Sequence, residues 1–176
     1  TITLSGTTGT PFSNSGTFTP STSTVAYTGN NSGGNTTIAN ITYNNLTLNN
    51  AAETYVLAGN TTTNGNLTIT AGTLDTVSGL NCSLSVGGNF SNSGIFTARS
   101  GTLTLTGTGA QTLTSGGTSF YNLTQNGVAG TYTLQDTIGI SNNLVITNGT
   151  FALAGRNLTV PGSFTNAGTL MLNGAE

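Results

Sequence analysis

The sequence has no histidine, no lysine and no tryptophan, and only one cysteine, one methionine and three prolines in 176 residues. Each shortage excludes something. Without His or Lys the usual general bases and activated nucleophiles cannot be assembled, and a lone Cys82 cannot build a thiolate metal site. Two cations, Arg99 and Arg156, face four carboxylates (Glu53, Asp75, Asp136 and Glu176), for a net charge of −2. That leaves nothing to neutralise a phosphate backbone, so no nucleic-acid partner is expected. The carboxylates form no Asp-x-Asp loop of the calcium type and no adjoining pair. The expectation is a protein that is not an enzyme and holds no cofactor and no metal. No apolar run approaches the roughly 18 residues of a membrane span. There is no initiator Met and no signal peptide, so the chain reads as processed or as a segment of something longer. Cys82 reads as a small buried apolar side chain, with an intermolecular disulfide as the alternative.

What fills the chain instead is 39 Thr, 26 Gly, 23 Asn and 16 Ser. Charged residues make up 3%, against about a quarter in an ordinary domain. Disorder would go with high net charge and few β-branched residues, and neither holds here. Solubility must come from hydroxyls and amides, which suits an extracellular or cell-surface protein better than a cytosolic one.

Internal repeats carry the fold argument. Phe12-Ser-Asn-Ser-Gly-Thr-Phe18 returns as Phe90-Ser-Asn-Ser-Gly-Ile-Phe96 and, more loosely, as Phe164-Thr-Asn-Ala-Gly-Thr-Leu170, at offsets of 78 and 74. Thr54–Leu74 aligns with Thr131–Phe151 at an offset of 77, with nine of 21 positions identical, Tyr55/Tyr132 and Leu67/Leu144 among them. Leu84-Ser-Val86 matches Leu158-Thr-Val160. The chain divides accordingly into a partial N-terminal unit over 1–11, repeats over 12–89 and 90–163, and the start of a third unit over 164–176, all in one domain.

Within each unit the period is two: Thr102-Leu-Thr-Leu-Thr106 alternates strictly. Short alternating runs punctuated by Gly and Asn-Gly read as strands joined by tight corners, and no 3.6-residue stripe predicts a helix. Scarce charge argues against exposed sheet edges, which charges usually protect. The expected fold is all-β, a parallel β-helix (β-solenoid) built from about two 74–78-residue repeats. Coils of roughly 20 to 25 residues would stack seven to nine rungs at about 4.8 Å each, a rod of roughly 35–43 Å.

The unit Phe90-Ser-Asn-Ser-Gly-Ile-Phe-Thr97, followed by Gly101-Thr-Leu-Thr-Leu-Thr-Gly107 and Gln111-Thr-Leu-Thr114, resembles repeats of large secreted bacterial surface proteins. These are adhesin-like chains of the filamentous-haemagglutinin and autotransporter-passenger type, which are right-handed parallel β-helices. The resemblance runs from about residue 12 to residue 172. It implies a secreted or cell-surface structural role and transfers no active-site residue. Those proteins usually carry many units, where this chain has about two.

Candidate residues follow from the repeat. Phe12, Phe90, Phe164, Leu67, Leu144, Leu84 and Leu158 are expected to point inward. Asn14, Asn92 and Asn166 are expected at corners, where Asn tolerates left-handed geometry and bonds neighbouring backbone, or stacks as an amide ladder. Outward Thr in Thr-x-Thr runs reads as strand propensity. A flat Thr array could bind ice only if the same pair recurred at one register in every coil. Sequons at Asn45, Asn66, Asn89, Asn122 and Asn157 arise easily in so Asn- and Thr-rich a chain.

Neither terminus shows a charged cap, so both ends of the solenoid are expected to be open. Thr1, Ile2 and Leu4 at one end and Leu170 and Leu172 at the other are the expected assembly interface. There, coils would stack head to tail on another copy, with the N-terminal strand free to be donated, or on flanking repeats of a longer parent chain. The expected function is a structural subunit or shaft of a bacterial surface filament. An adhesin-type module binding glycans or surfaces is the alternative, and ice binding a third.

Overall fold

Strict alternation leaves every run with one apolar and one polar face, and the chain buries the apolar faces by coiling around them. A computed structural model describes residues 1–172; residues 173–176, Glu176 among them, lie outside the described residues. Among the described residues there are twenty strands and no helix, and hence none long and apolar enough to cross a membrane. All strand pairings are parallel, and the strands stack as a β-solenoid of about eight turns. At about 4.8 Å per turn the stack is roughly 38 Å long.

A typical coil contributes three strands, one to each of three faces. On the first face Ile2, Val25, Leu46, Leu67, Phe90, Leu113 and Leu134 succeed one another in register. On the second, Thr36, Tyr55, Leu74 and Phe96 do so, and Phe120 and Ile140 continue the line. On the third, Thr61, Leu84, Leu103, Leu123, Leu144 and Phe164 are paired in turn. The register steps by 21 residues from Val25 to Leu46, by 23 from Leu67 to Phe90 and by 19 from Thr150 to Thr169.

The coil length explains the long sequence period. Seventy-seven residues is roughly three and two-thirds coils, so the second unit is rotated by one face relative to the first. Leu67 is on the first face and Leu144 on the third; Leu84 is on the third and Leu158 on the second; Tyr55 is on the second and Tyr132 on the first. The repeated element is thus a strand-and-corner module that serves any face.

Corners between the third and first faces are glycine-rich because backbone stacks directly on backbone there. A Cβ on Gly107 would run into the carbonyl oxygen of Gly87, one on Gly127 or Gly130 into that of Gly107, and one on Gly149 into those of Gly127 and Gly130.

Inside, Leu67, Leu144, Leu84 and Phe90 are almost fully buried. Phe90, Phe96 and Phe120 pack with ring centroids 5.5–5.8 Å apart, a spacing favourable for aromatic pairs. Three of the expected inward residues differ. Phe12 and Leu158 are half-buried and Phe164 is 47% exposed, because they belong to the first and last coils, which have a neighbour on one side only. Interior polar groups are mostly satisfied, with Thr36 Oγ1 and Gln125 Oε1 the buried exceptions among the described residues; the Tyr132 hydroxyl donates toward the carbonyls of Val86 and Gly88, both at 2.8 Å, and accepts from Gly107 N–H at 3.3 Å. Burial pushes the pKa of Tyr132 up to about 12. Cys82 is buried with a free thiol, and burial raises its pKa.

Leu144→Ala removes a side chain held between Leu123 and Phe164 and should cost about 2–5 kcal/mol, read as an earlier denaturation midpoint. Phe90→Asp buries an unpaired charge and should abolish the β-sheet circular dichroism. A normal spectrum and melting curve for Phe90→Asp would refute the inward assignment.

Candidate functional site

The corners hold an amide ladder, but not at the expected asparagines. Asn45 Oδ1 accepts from the backbone N–H of Asn66, Asn66 Oδ1 from that of Asn89, and Asn89 Oδ1 from that of Thr112, each at 2.8 Å. A second column runs from Asn122 through Asn143 to the N–H of Ser163 at 3.3 and 3.0 Å. These residues immediately precede inward Leu or Phe, and all but Asn143 lie in sequons. Asn-Leu-Thr is therefore the signature of a corner amide, an inward Leu and an outward Thr. For Asn14, Asn92 and Asn166 the expected left-handed geometry is absent, since none has a positive φ and the left-handed non-glycine positions are Ser21, Val77, Asn81, Arg99, Ala129 and Ala154; Asn92 and Asn166 do directly precede bends. Asn92 and Asn166 each end a strand. Asn92 is buried, its Nδ2 donating to Ser115 O and Thr118 Oγ1 at 2.7 and 3.1 Å. Asn14 is exposed and donates locally to Gly16 O.

The described carboxylates are engaged one by one, Glu53 and Asp136 with the backbone of an adjacent coil and Asp75 with the Arg99 side chain. Glu53 is 2% exposed and accepts from the N–H groups of Asn31 at 2.6 Å and Thr36 at 3.0 Å. Asp136 accepts from the N–H groups of Ser115 and Gly116 and from Ser115 Oγ at 2.8–3.0 Å. Asp75 takes a two-pronged contact from Arg99, Nε at 2.9 Å and Nη2 at 2.6 Å, and accepts from Val77 N–H. The Arg99 fork holds the Asp75 carboxyl below the usual range; partial burial opposes this and the Val77 N–H adds to it. Among the described residues no three His, Cys, Asp or Glu gather in one place.

On the third face the outward side chains form one column: Thr42, Thr62, Ser85, Thr104, Thr124, Val145 and Thr165. A second hydroxyl column does not accompany it, since Thr102 pairs with Asn122. A shallow cleft of about 310 Å³ between Ala51, Gly72 and Ile95 is lined by small and aliphatic side chains, with neither an aromatic nor a charge. It offers a sugar ring no stacking platform.

No known protein family, curated protein or solved structure matches this chain.

Each terminal coil has a coil of the described chain on one side only. At the C-terminal end the strands Leu158–Thr159, Phe164–Asn166 and Thr169–Met171 each pair with the preceding coil only. Their outer edges are unpaired, and Phe164, Met171 and Leu172 are 36–51% exposed, with Leu158, Val160 and Leu170 half-buried beside them. The N-terminal coil is different in build. Ile2–Leu4 is its one strand, and it pairs with Thr24–Tyr27 of its own chain. Thr1 and Ile2 are exposed and Leu4 is half-buried.

Asn89→Ala removes a ladder acceptor and should cost about 1 kcal/mol, whereas Asn157→Ala, at an exposed sequon, should leave the melting temperature unchanged. A carboxyl whose pKa is depressed by folding stabilises the fold above its unfolded pKa, and that contribution disappears as pH falls through the folded value. Arg99→Ala should therefore melt earlier than the parent at neutral pH, and the two should converge on acidification below the carboxylate range.

Proposed function

We propose that the protein is a structural extracellular rod, the shaft segment of a bacterial cell-surface fibre or the subunit of a filament, lengthened by coils stacked on its end. The observation that carries this reading is the C-terminal coil: three parallel strands with free edges around an uncovered apolar interior. Such an edge is a template for further pairing. The coil placed on it belongs either to the same polypeptide or to another copy, in which case Leu170 and Leu172 meet Ile2 and Leu4. The resemblance of the Phe-Ser-Asn-Ser-Gly-x-Phe units to adhesin-type repeats supports a surface location. So does a rod with few charges, which suits close stacking of like on like.

Gold-labelled antibodies against the chain, applied to intact native cells, should mark thin fibres at the surface under the electron microscope. Label confined to the cell interior, or spread over a surface without fibres, would overturn the reading.

A further inference from the structure

We infer that residues 76–83 form a latch: a strained strap, pinned by the Asp75–Arg99 ion pair, that opens by itself while the coils on either side stay paired and so uncovers the apolar interior at Cys82. The device goes beyond the role proposed for the rod and does not depend on it.

Length sets the strap apart from its neighbours. It joins the strand ending at Asp75 to the strand beginning at Leu84. The equivalent corner spans only 58–60 in the coil before and 98–101 in the coil after. The extra residues therefore have no corner to stack on. Among the described residues, the backbone of 77–81 has one backbone partner, and it lies within the strap: Asn81 N–H donates to Val77 O at 2.9 Å. Ser78, Gly79 and Leu80 are exposed, Leu80 at 65%.

The backbone of the strap is strained. Val77 lies at φ +65° and Asn81 at +50°, and Arg99 on the adjacent corner lies at +48°. Asn tolerates this region, but a β-branched residue is a steric outlier in it. Such a conformation persists only where its surroundings impose it. Here the surroundings are few. Asp75 Oδ1 accepts from Val77 N–H at 2.8 Å, and the same carboxylate takes the Arg99 fork, Nε at 2.9 Å and Nη2 at 2.6 Å. Asn81 Oδ1 accepts from Ser100 N–H at 3.2 Å. One carboxylate thus ties the strained residue to the next coil.

Both feet of the strap are held more firmly. Thr76 donates its N–H to Thr97 O at 3.1 Å and its Oγ1 to Ala98 O at 2.8 Å. Thr61 N–H donates to Ser83 O at 3.0 Å, and Ser83 N–H to Asn60 Oδ1 at 2.8 Å. Opening is therefore confined to residues 77–82. Cys82 is 4% exposed and lines, with Phe96, Leu103 and Phe120, a recess that has no room for a water molecule. Segments with few buried contacts and few hydrogen bonds to their neighbours open at the low end of a protein's range of local stabilities.

Cys82 is the one thiol of the chain, so its reaction with a maleimide, followed by mass spectrometry of the full chain, reports the opening. In the parent the labelling rate should not change with urea well below the unfolding midpoint, since a local opening exposes little surface. Arg99→Ala should label about fivefold faster, and Asp75→Ala, which also releases the Val77 N–H, about tenfold faster. Val77→Gly relieves the strain and keeps both contacts, and should label about threefold more slowly. Arg156→Ala removes a cation from another corner and should label at the parent rate. Hydrogen exchange gives a second reading on the same proteins: the Asn81 and Cys82 amides should lose protection in Arg99→Ala, while those of Leu103 and Leu123 keep it. A parent rate that climbs with urea in step with global unfolding, Arg99→Ala and Asp75→Ala labelling at the parent rate, or Val77→Gly labelling faster than the parent would each overturn the latch. None of these outcomes bears on whether native cells carry the protein in surface fibres, which the antibody labelling decides separately.

Discussion

Parallel stacking of one coil on the next is the constraint from which the rest of the structure follows. Each strand pairs at about 4.8 Å with the strands before and after it, so every residue meets the residue about one coil away in the chain. That favours like on like. Apolar residues form continuous inward columns, and small polar residues form outward ones. Where the chain turns, backbone lies on backbone, and a Cβ on Gly107 or Gly127 would strike the coil before it. Asn at a corner is useful for the same reason: its amide oxygen reaches the N–H of the residue stacked beneath it.

Stacking also decides where charge is tolerated. A charged column would repeat one sign every coil at close range, which costs energy. The described carboxylates accordingly occur singly, each with donors supplied by an adjacent coil. Glu53 accepts from the Asn31 and Thr36 N–H groups, and Asp136 from those of Ser115 and Gly116. Asp75 and Arg99 form an ion pair between neighbouring coils at the surface. Along the middle of the rod, most strand edges are paired within the chain. Unpaired strand edges and the exposed Phe164, Met171 and Leu172 mark the C-terminal coil, where the functional proposal rests; Leu80, Ile95 and Val128 are exposed along the rod as well.

Much of the architecture was legible in the residues. Alternation in Thr102–Thr106, the glycine corners and the recurrence of Phe-Ser-Asn-Ser-Gly-x-Phe pointed to stacked parallel strands, because each depends only on local sequence and a short repeat distance. The identity of the ladder residues was less legible. Asn14, Asn92 and Asn166 share a place in the long repeat, yet the amides that stack are Asn45, Asn66 and Asn89, which follow the coil length instead. Phe164 matches Phe90 in sequence and differs from it in burial because a coil lies on both sides of one and on one side of the other.

By itself the sequence determined that the protein would be all-β and coiled, with polar residues that are mostly hydroxyls and amides. These properties follow from composition and from a two-residue period, which act within a few residues. Only the tertiary structure decided which face each strand occupies, because that depends on the summed length of the corners. A repeat of 77 residues on coils of 19 to 23 moves equivalent side chains to a different face. The burial of equivalent phenylalanines was likewise a tertiary outcome. Whether a Phe is buried, as Phe90 is, or half exposed, as Phe164 is, depends on what is stacked above and below it, and no local pattern encodes that.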